Sequence, residues 1–524
     1  MHTSAHVDGF SRRNLPSQEE LPNFVFSLPA LEYGPVLNCV SWLIDQHIEN
    51  GKADKVAICS LDESWTYKDL NAKVNQIANY LVSTLGVVAG NRVLLRFPNS
   101  PLHAACLLAV WRCGAIAVPT MPLLRAKELE IIIAKAEIDH AICQSGLKAE
   151  TQGLALKHLV LSDDLERLMT EFNPNFDQVA TASDDVALIS FTSGTTGNPK
   201  GVLHFHRDIM SMCHTYCQHV VKPTADDIFI GSPPLAFTFG LGGLLIFPLF
   251  TGATAALIAD CAPLKLAKAI KAVGATLCFT APTAYKLMLS QGDVADLSTI
   301  RLAVSAGEHL ALPIYQMWQD KVGVPMIDGI GATEMIHIFL STSVGDPMPG
   351  STGKAVPGFE LQIVDKNMKP LRDGQDGHLA VRGPTGCKYL NDHRQAEYVS
   401  DGWNLTGDIF RRDEQGYYWY VARGDDMIIS SGYNISGPEV EVALLAHPAV
   451  LECAVIAAKD VDRGSVPKAF IVLNGGFEPT QETTDELQKF VKNRIAPFKY
   501  PRQIAYLKEL PKTATGKLQR FMLK

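Results

Sequence analysis

Residues 191–201 spell Phe-Thr-Ser-Gly-Thr-Thr-Gly-Asn-Pro-Lys-Gly, directly after an apolar run that begins at Val186. Gly194 and its fellow glycines free the backbone for tight turns. Successive N–H groups and the hydroxyls of Thr192, Ser193, Thr195 and Thr196 can then surround phosphate oxygens, while Lys200 adds a positive charge. This is the chemistry of a phosphate loop. It is not a Walker A loop, because the spacing Gly-x4-Gly-Lys-Ser/Thr cannot be placed on it and Pro199 interrupts the run. A Ser/Thr/Gly-rich surface linker has a similar composition, but a linker rarely follows a buried strand so closely. A second cluster, His204, His206, Cys213, His214, Cys217 and His219, suggests zinc at first sight. Cys213 and Cys217 share one helical face and no structural-zinc spacing is present, so a buried helix packed behind the loop is the better reading.

The elements that must carry these residues follow from pattern. From residue 55 to 424, short β-branched runs alternate with longer helical ones, the signature of βαβ units and mainly parallel sheets. Val56 to Cys59 and Arg92 to Arg96 read as strands, 70–85 and 104–113 as helices, and a second such series starts at Val186. Between 358 and 386 the texture changes to short strands, with turns expected at Asp373-Gly374 and Asp376-Gly377. The last hundred residues read as a separate α+β unit: a helix at 438–445, strands at 450–457 and 469–473, a helix at 484–495 and a strand near Ile504. With 524 residues a single core is not expected, and the best cut lies near Arg423 to Asp426.

Composition removes several function classes. Hydrophobic residues make up 47% and charged residues 19%, which suits a globular enzyme rather than a fibrous or disordered chain. The net charge of −8 offers no global positive field for nucleic acid or anionic membrane. The 11 cysteines are odd in number and dispersed, the pattern of reduced thiols in a cytoplasmic protein. The N-terminus lacks an apolar stretch of signal-peptide type. Residues 228–259 carry no charge, yet three prolines and five glycines break them into pieces too short to span a bilayer.

The run at 191–201 resembles the signature loop of the adenylate-forming superfamily, which includes acyl-CoA and aryl-CoA ligases, peptide-synthetase adenylation domains and beetle luciferases. Four further segments resemble it in the same order: Ser305-Ala306-Gly307-Glu308, Gly331-Ala332-Thr333-Glu334, Thr406-Gly407-Asp408 followed by Arg423, and the Pro511 to Lys517 tail. The resemblance covers roughly residues 50–524, and 328–339 are similar to the benzoate and 2-aminobenzoate CoA ligase branch in particular.

The resemblance implies an α/β fold: an N-terminal domain, 1–424, with helix-flanked parallel sheets and a β-rich subdomain at about 355–424, and a mobile α+β lid, 425–524. It implies ATP, Mg²⁺ and coenzyme A, with the acid activated as an acyl-adenylate. Lys517 is then the catalytic cation, Thr333 a phosphate contact and Glu334 the Mg²⁺ ligand. Gly307, Glu308, Asp328 and Gly329 belong to the ATP site, with Asp408 on the ribose and Arg423 beside it. Asp425 is the hinge, and Gly432, in the loop 430–434, faces the pantetheine. The acid pocket is formed by Phe237, Thr238, Phe239, Ala306, Gly331 and His337, and points to benzoate or 2-aminobenzoate. Two departures stand out: Ala422 precedes Arg423 where relatives carry Gly, and Ile330 replaces an aromatic that stacks on adenine. Loading of a carrier-protein pantetheine is the alternative within the family, and a non-catalytic nucleotide-binding protein the alternative outside it. The expected partners are small molecules, and a homodimer is compatible with them.

Overall fold

Two mostly parallel sheets build the larger part of the chain. The structure, a computed structural model, describes residues 2–192, 199–430, 433–460, 464–512 and 518–523. A six-stranded sheet runs in the order His158–Leu161, His140–Cys143, Arg92–Arg96, Ile116–Thr120, Val186–Thr192, Lys200–Phe205, parallel except for the last pair. In the nine-stranded sheet, a parallel centre from Met326–Gly331 through Leu302–Ala306, Leu277–Thr280, Ile228–Gly231 and Thr254–Ala256 to Val56–Cys59 is edged by antiparallel strands.

Helices fill the space between the sheets because their apolar positions recur on every side or on one face. Tyr67–Ser83 buries Leu70, Val74, Ile77 and Leu81, and Thr66 caps it by accepting from the Asp69 N–H. Pro101–Arg112 is buried on all sides. Trp111 within it donates its indole N–H to the Ala187 carbonyl at 2.7 Å, tying the helix to the strand that leads into the phosphate-loop run. One apolar core joins side chains of both sheets, including Val93, Leu95, Phe229, Leu277 and Ile327. Truncating one of its large members to alanine is worth about 2–5 kcal/mol.

The β-rich unit consists of Glu360–Val364, Asp376–Arg382, Val399–Ser400, Trp403–Arg412 and Tyr418–Arg423. Asp373-Gly374 form the expected turn, but Asp376 and Gly377 lie inside a strand. Gly377 is there for closeness, since a Cβ would sit 2.6 Å from the Val364 carbonyl oxygen. A separate C-terminal domain has its own sheet, Ile428–Ser430, Tyr433–Ile435, Val450–Asp460, Gly464–Leu473 and Gln503–Tyr506, its own helices Gly437–Leu445 and Gln481–Lys492, and its own core around Val440, Leu444, Ile471 and Leu487. The uncharged stretch 228–259 folds as a strand, short helical turns and another strand. Among the described residues no helix is long and apolar enough to cross a membrane.

Candidate functional site

Two strands flank the phosphate-loop run. Val186–Thr192 and Lys200–Phe205 pair antiparallel, with Thr192 opposite Lys200 at its mouth. Ser193, Gly194, Thr195 and Thr196 lie outside the described residues. Behind the mouth, the Lys200 ammonium donates to the Tyr389 hydroxyl at 3.0 Å and lies 4.7 Å from the centre of its ring. The Tyr389 hydroxyl in turn donates to Glu334 Oε1 at 2.5 Å. The resemblance named Lys200 and Glu334 separately; Tyr389, which joins them, carries no motif of its own in the sequence.

The C-terminal ends of the parallel strands open into a cavity of about 320 Å³, the place where open α/β sheets bind ligands. Gly307, Glu308, Asp328, Gly329, Gly331, Asp408 and Arg423 all line it, and so does Ile330. The sheet register sets Ala306 beside Gly329 and Ser305 beside Asp328. Glu308 accepts from the Thr283 hydroxyl at 2.6 Å and its N–H at 3.3 Å, at the start of helix Pro282–Gln291. Asp408 and Arg423 face each other on paired strands, with the guanidinium donating to Asp408 Oδ1 at 3.0 Å. Burial pushes the Asp328 carboxyl up to about 8, so it is largely protonated at neutral pH. The opposite wall belongs to the C-terminal domain: Lys512, Leu518, Glu441 and Arg520. Arg520 donates to both Glu441 oxygens, at 2.6 and 2.7 Å. This pair escaped the sequence reading because its members are 79 residues apart and neither lies in a motif.

Thr333 and Glu334 open a single helical turn, Thr333–Met335, which Thr385 pins by donating to the Met335 carbonyl at 2.9 Å. Ile336 follows with φ of 64°, a strained conformation for a β-branched residue. This bend brings His337 back against Gly331, where a Cβ would lie 2.6 Å from the His337 carbonyl oxygen. Gly331→Ala is therefore expected to displace His337 and lower kcat/KM for the acid at least about tenfold, with a native circular-dichroism spectrum. An unchanged value would contradict the close approach. His337 is buried among Phe247, Tyr216 and Phe239, at ring distances of 4.7, 5.3 and 5.8 Å. Phe237 and Phe239 are half-buried, and Thr238 and Ala306 are buried. Asn99 braces this wall by donating to the Pro233 carbonyl at 3.0 Å and accepting from the Leu235 N–H at 2.8 Å.

Burial lowers the pKa of His337 to about 3, of His206 to about 3 and of His103 to about 4. Each is neutral in the fold and takes up a proton on unfolding below about pH 6.5. Their contribution to stability is full above that value and falls as the pH drops, by up to about 1.4 kcal/mol per pH unit for each. The thermal midpoint should therefore fall between pH 7 and pH 5, the three imidazoles outweighing the one buried Asp328 carboxyl, whose effect runs the other way; a flat or rising midpoint would refute this.

A hard cation such as Mg²⁺ binds through one or two carboxylates plus substrate phosphates, and the Glu334 carboxylate near Lys200 fits that donor set. No cluster of three or more metal-ligating side chains occurs among the described residues. Cys213 and Cys217 lie in the buried helical segment Cys213–Val221, where burial raises both thiols well above their usual range. Asp425 stands in the turn Gly424–Asp426 that precedes the C-terminal sheet. Gly432 and Lys517 lie outside the described residues.

A family model described as AMP-binding enzyme matches residues 44–389, and one described as AMP-binding enzyme C-terminal domain matches 439–517. The benzoate–CoA ligase of Thauera aromatica is 34% identical over 512 residues, covering 95% of this chain and 97% of that protein. The crystal structure of the anthranilate CoA ligase AuaEII in complex with anthranoyl-AMP superposes with a TM-score of 0.90 at 34% identity, over 95% of this chain and 98% of that one. A benzoate CoA ligase from Burkholderia xenovorans LB400 gives a TM-score of 0.85 at 32% identity, over 93% and 99% of the two chains.

Proposed function

The chain belongs to the AMP-binding enzyme family and is an AMP-forming acid–CoA ligase, and from that premise we propose that its acid is aromatic, of the benzoate or 2-aminobenzoate type. The observation that carries this reading is the neutral, buried His337, set among the rings of Phe247, Tyr216 and Phe239. A flat ring suits such walls, and an imidazole has the donor and acceptor chemistry to meet a carboxylate or an ortho amino group. The relatives act on benzoate and anthranilate by name, which agrees.

In the first half-reaction a carboxylate oxygen of the acid attacks the α-phosphorus of ATP. The bond to the bridging oxygen breaks, pyrophosphate leaves and an aryl-adenylate remains. Thr192, Lys200 and the loop between them hold the phosphates, and Thr333 contacts the α-phosphate. Asp408 accepts from the ribose hydroxyls with Arg423 beside it, and Gly307, Glu308, Asp328 and Gly329 frame the nucleoside against Ile330. A bound Mg²⁺ on Glu334 would neutralise phosphate charge. Lys517 stabilises the charge that gathers between carboxylate and phosphate; Lys512 and Leu518, on the two sides of that tail, line the cavity, which supports the assignment. In the second half-reaction the CoA sulfur attacks the acyl carbon and AMP departs.

We place the domain cut between 424 and 425, with Asp425 as the pivot that exchanges Lys517 for the loop holding Gly432 between the two steps, and the enzyme in the cytoplasm. Exchange of labelled pyrophosphate into ATP is expected with benzoate or 2-aminobenzoate present. Absence of exchange with aromatic, aliphatic and amino acids alike would overturn the reading.

A further inference from the structure

Tyr389 is 1% exposed and cannot contribute much to surface chemistry. Its backbone N–H donates to Gln395 Oε1 at 2.9 Å, its ring packs edge-on against Tyr398 at 5.9 Å, and it bridges to Val202 in the strand leaving the phosphate hairpin. A ring held at so many points presents its hydroxyl in one place. That hydroxyl accepts from Lys200 at 3.0 Å and donates to Glu334 at 2.5 Å. We propose that Tyr389 is a positioning residue for ATP activation, coupling Lys200, the cation that meets the phosphates, to Glu334, the carboxylate that would hold Mg²⁺. This rests on the ligase reading above. Its one proton goes to the carboxylate and a lone pair receives the ammonium, so the direction of both bonds is set by charge.

Tyr389→Phe keeps the ring and removes the bridge, so the fold should survive with a thermal midpoint shifted by no more than about 3 °C. Titration of the apo enzyme with MgATP should show about tenfold weaker binding, and acid-dependent pyrophosphate exchange should fall about ten- to a hundredfold. Thioester formation from supplied aryl-adenylate and CoA should stay within about twofold of wild type. In a Glu334→Ala background, Tyr389→Phe should cost no more than about a further twofold in MgATP affinity, because the partner is already gone. Unchanged MgATP affinity, equal loss in both half-reactions, or the same penalty with and without Glu334 would overturn the proposal. Failure of the wild type to exchange pyrophosphate would sink the ligase reading instead; the ratio of MgATP affinities still decides the role of Tyr389.

Discussion

Lys517→Ala is expected to slow acid-dependent pyrophosphate exchange by about a thousandfold or more, while thioester formation from supplied aryl-adenylate and CoA stays within a few-fold of wild type. Two anions, the carboxylate and the α-phosphate, must approach in the first step, and the charge they gather needs a cation between them. Alanine supplies none, and among the described residues the cations that line the cavity are engaged elsewhere: Arg520 with both oxygens of Glu441, Lys512 with Glu452, Arg423 with Asp408 and Lys286 with the Leu451 carbonyl. In the second step the adenylate already exists and charge leaves with AMP, so the lysine is dispensable. Equal loss of the two half-reactions would refute this division of labour and with it the exchange of faces at Asp425.

Asp408→Asn is expected to raise KM for ATP by about a hundredfold with little change in KM for the acid. Asp408 is 4% exposed, and one of its oxygens receives the Arg423 guanidinium. An ionised carboxylate only accepts, which suits ribose hydroxyls that donate. The amide replaces one acceptor oxygen by a donor, weakens the Arg423 contact and turns N–H groups toward hydroxyl hydrogens. Since the change lies on the strand pair Trp403–Arg412 and Tyr418–Arg423 rather than on the wall around His337, the acid should scarcely notice. A comparable rise in both KM values would show that the pocket had collapsed as a whole.

The sequence exposed those parts of the molecule whose signals are local. The apolar run from Val186 does form a strand, and residues of three matched segments do converge: Gly307, Gly331, Asp408 and Arg423 line one cavity together with Asp328. Non-local pairing was not legible. Val56–Cys59 pairs with Thr254–Ala256 in the nine-stranded sheet rather than with Arg92–Arg96, and Val186–Thr192 joins the six-stranded sheet beside Ile116–Thr120 rather than starting a new one. Neither periodicity nor strand length encodes which parallel neighbour a strand will choose. Tyr389 was missed for the same reason, since its meaning lies in two partners 55 and 189 residues away. The Asp376-Gly377 pair was misread because a glycine required by close packing in a strand looks the same in sequence as a glycine required by a turn.

The central claim, that this chain activates an aromatic acid and passes it to CoA, is tested most directly by AMP release from a panel of acids with ATP and CoA, reduced to kcat/KM. Benzoate or 2-aminobenzoate should exceed hexanoate by at least about tenfold; a higher kcat/KM for hexanoate than for both would contradict the reading of the pocket around Phe237, Phe239 and His337.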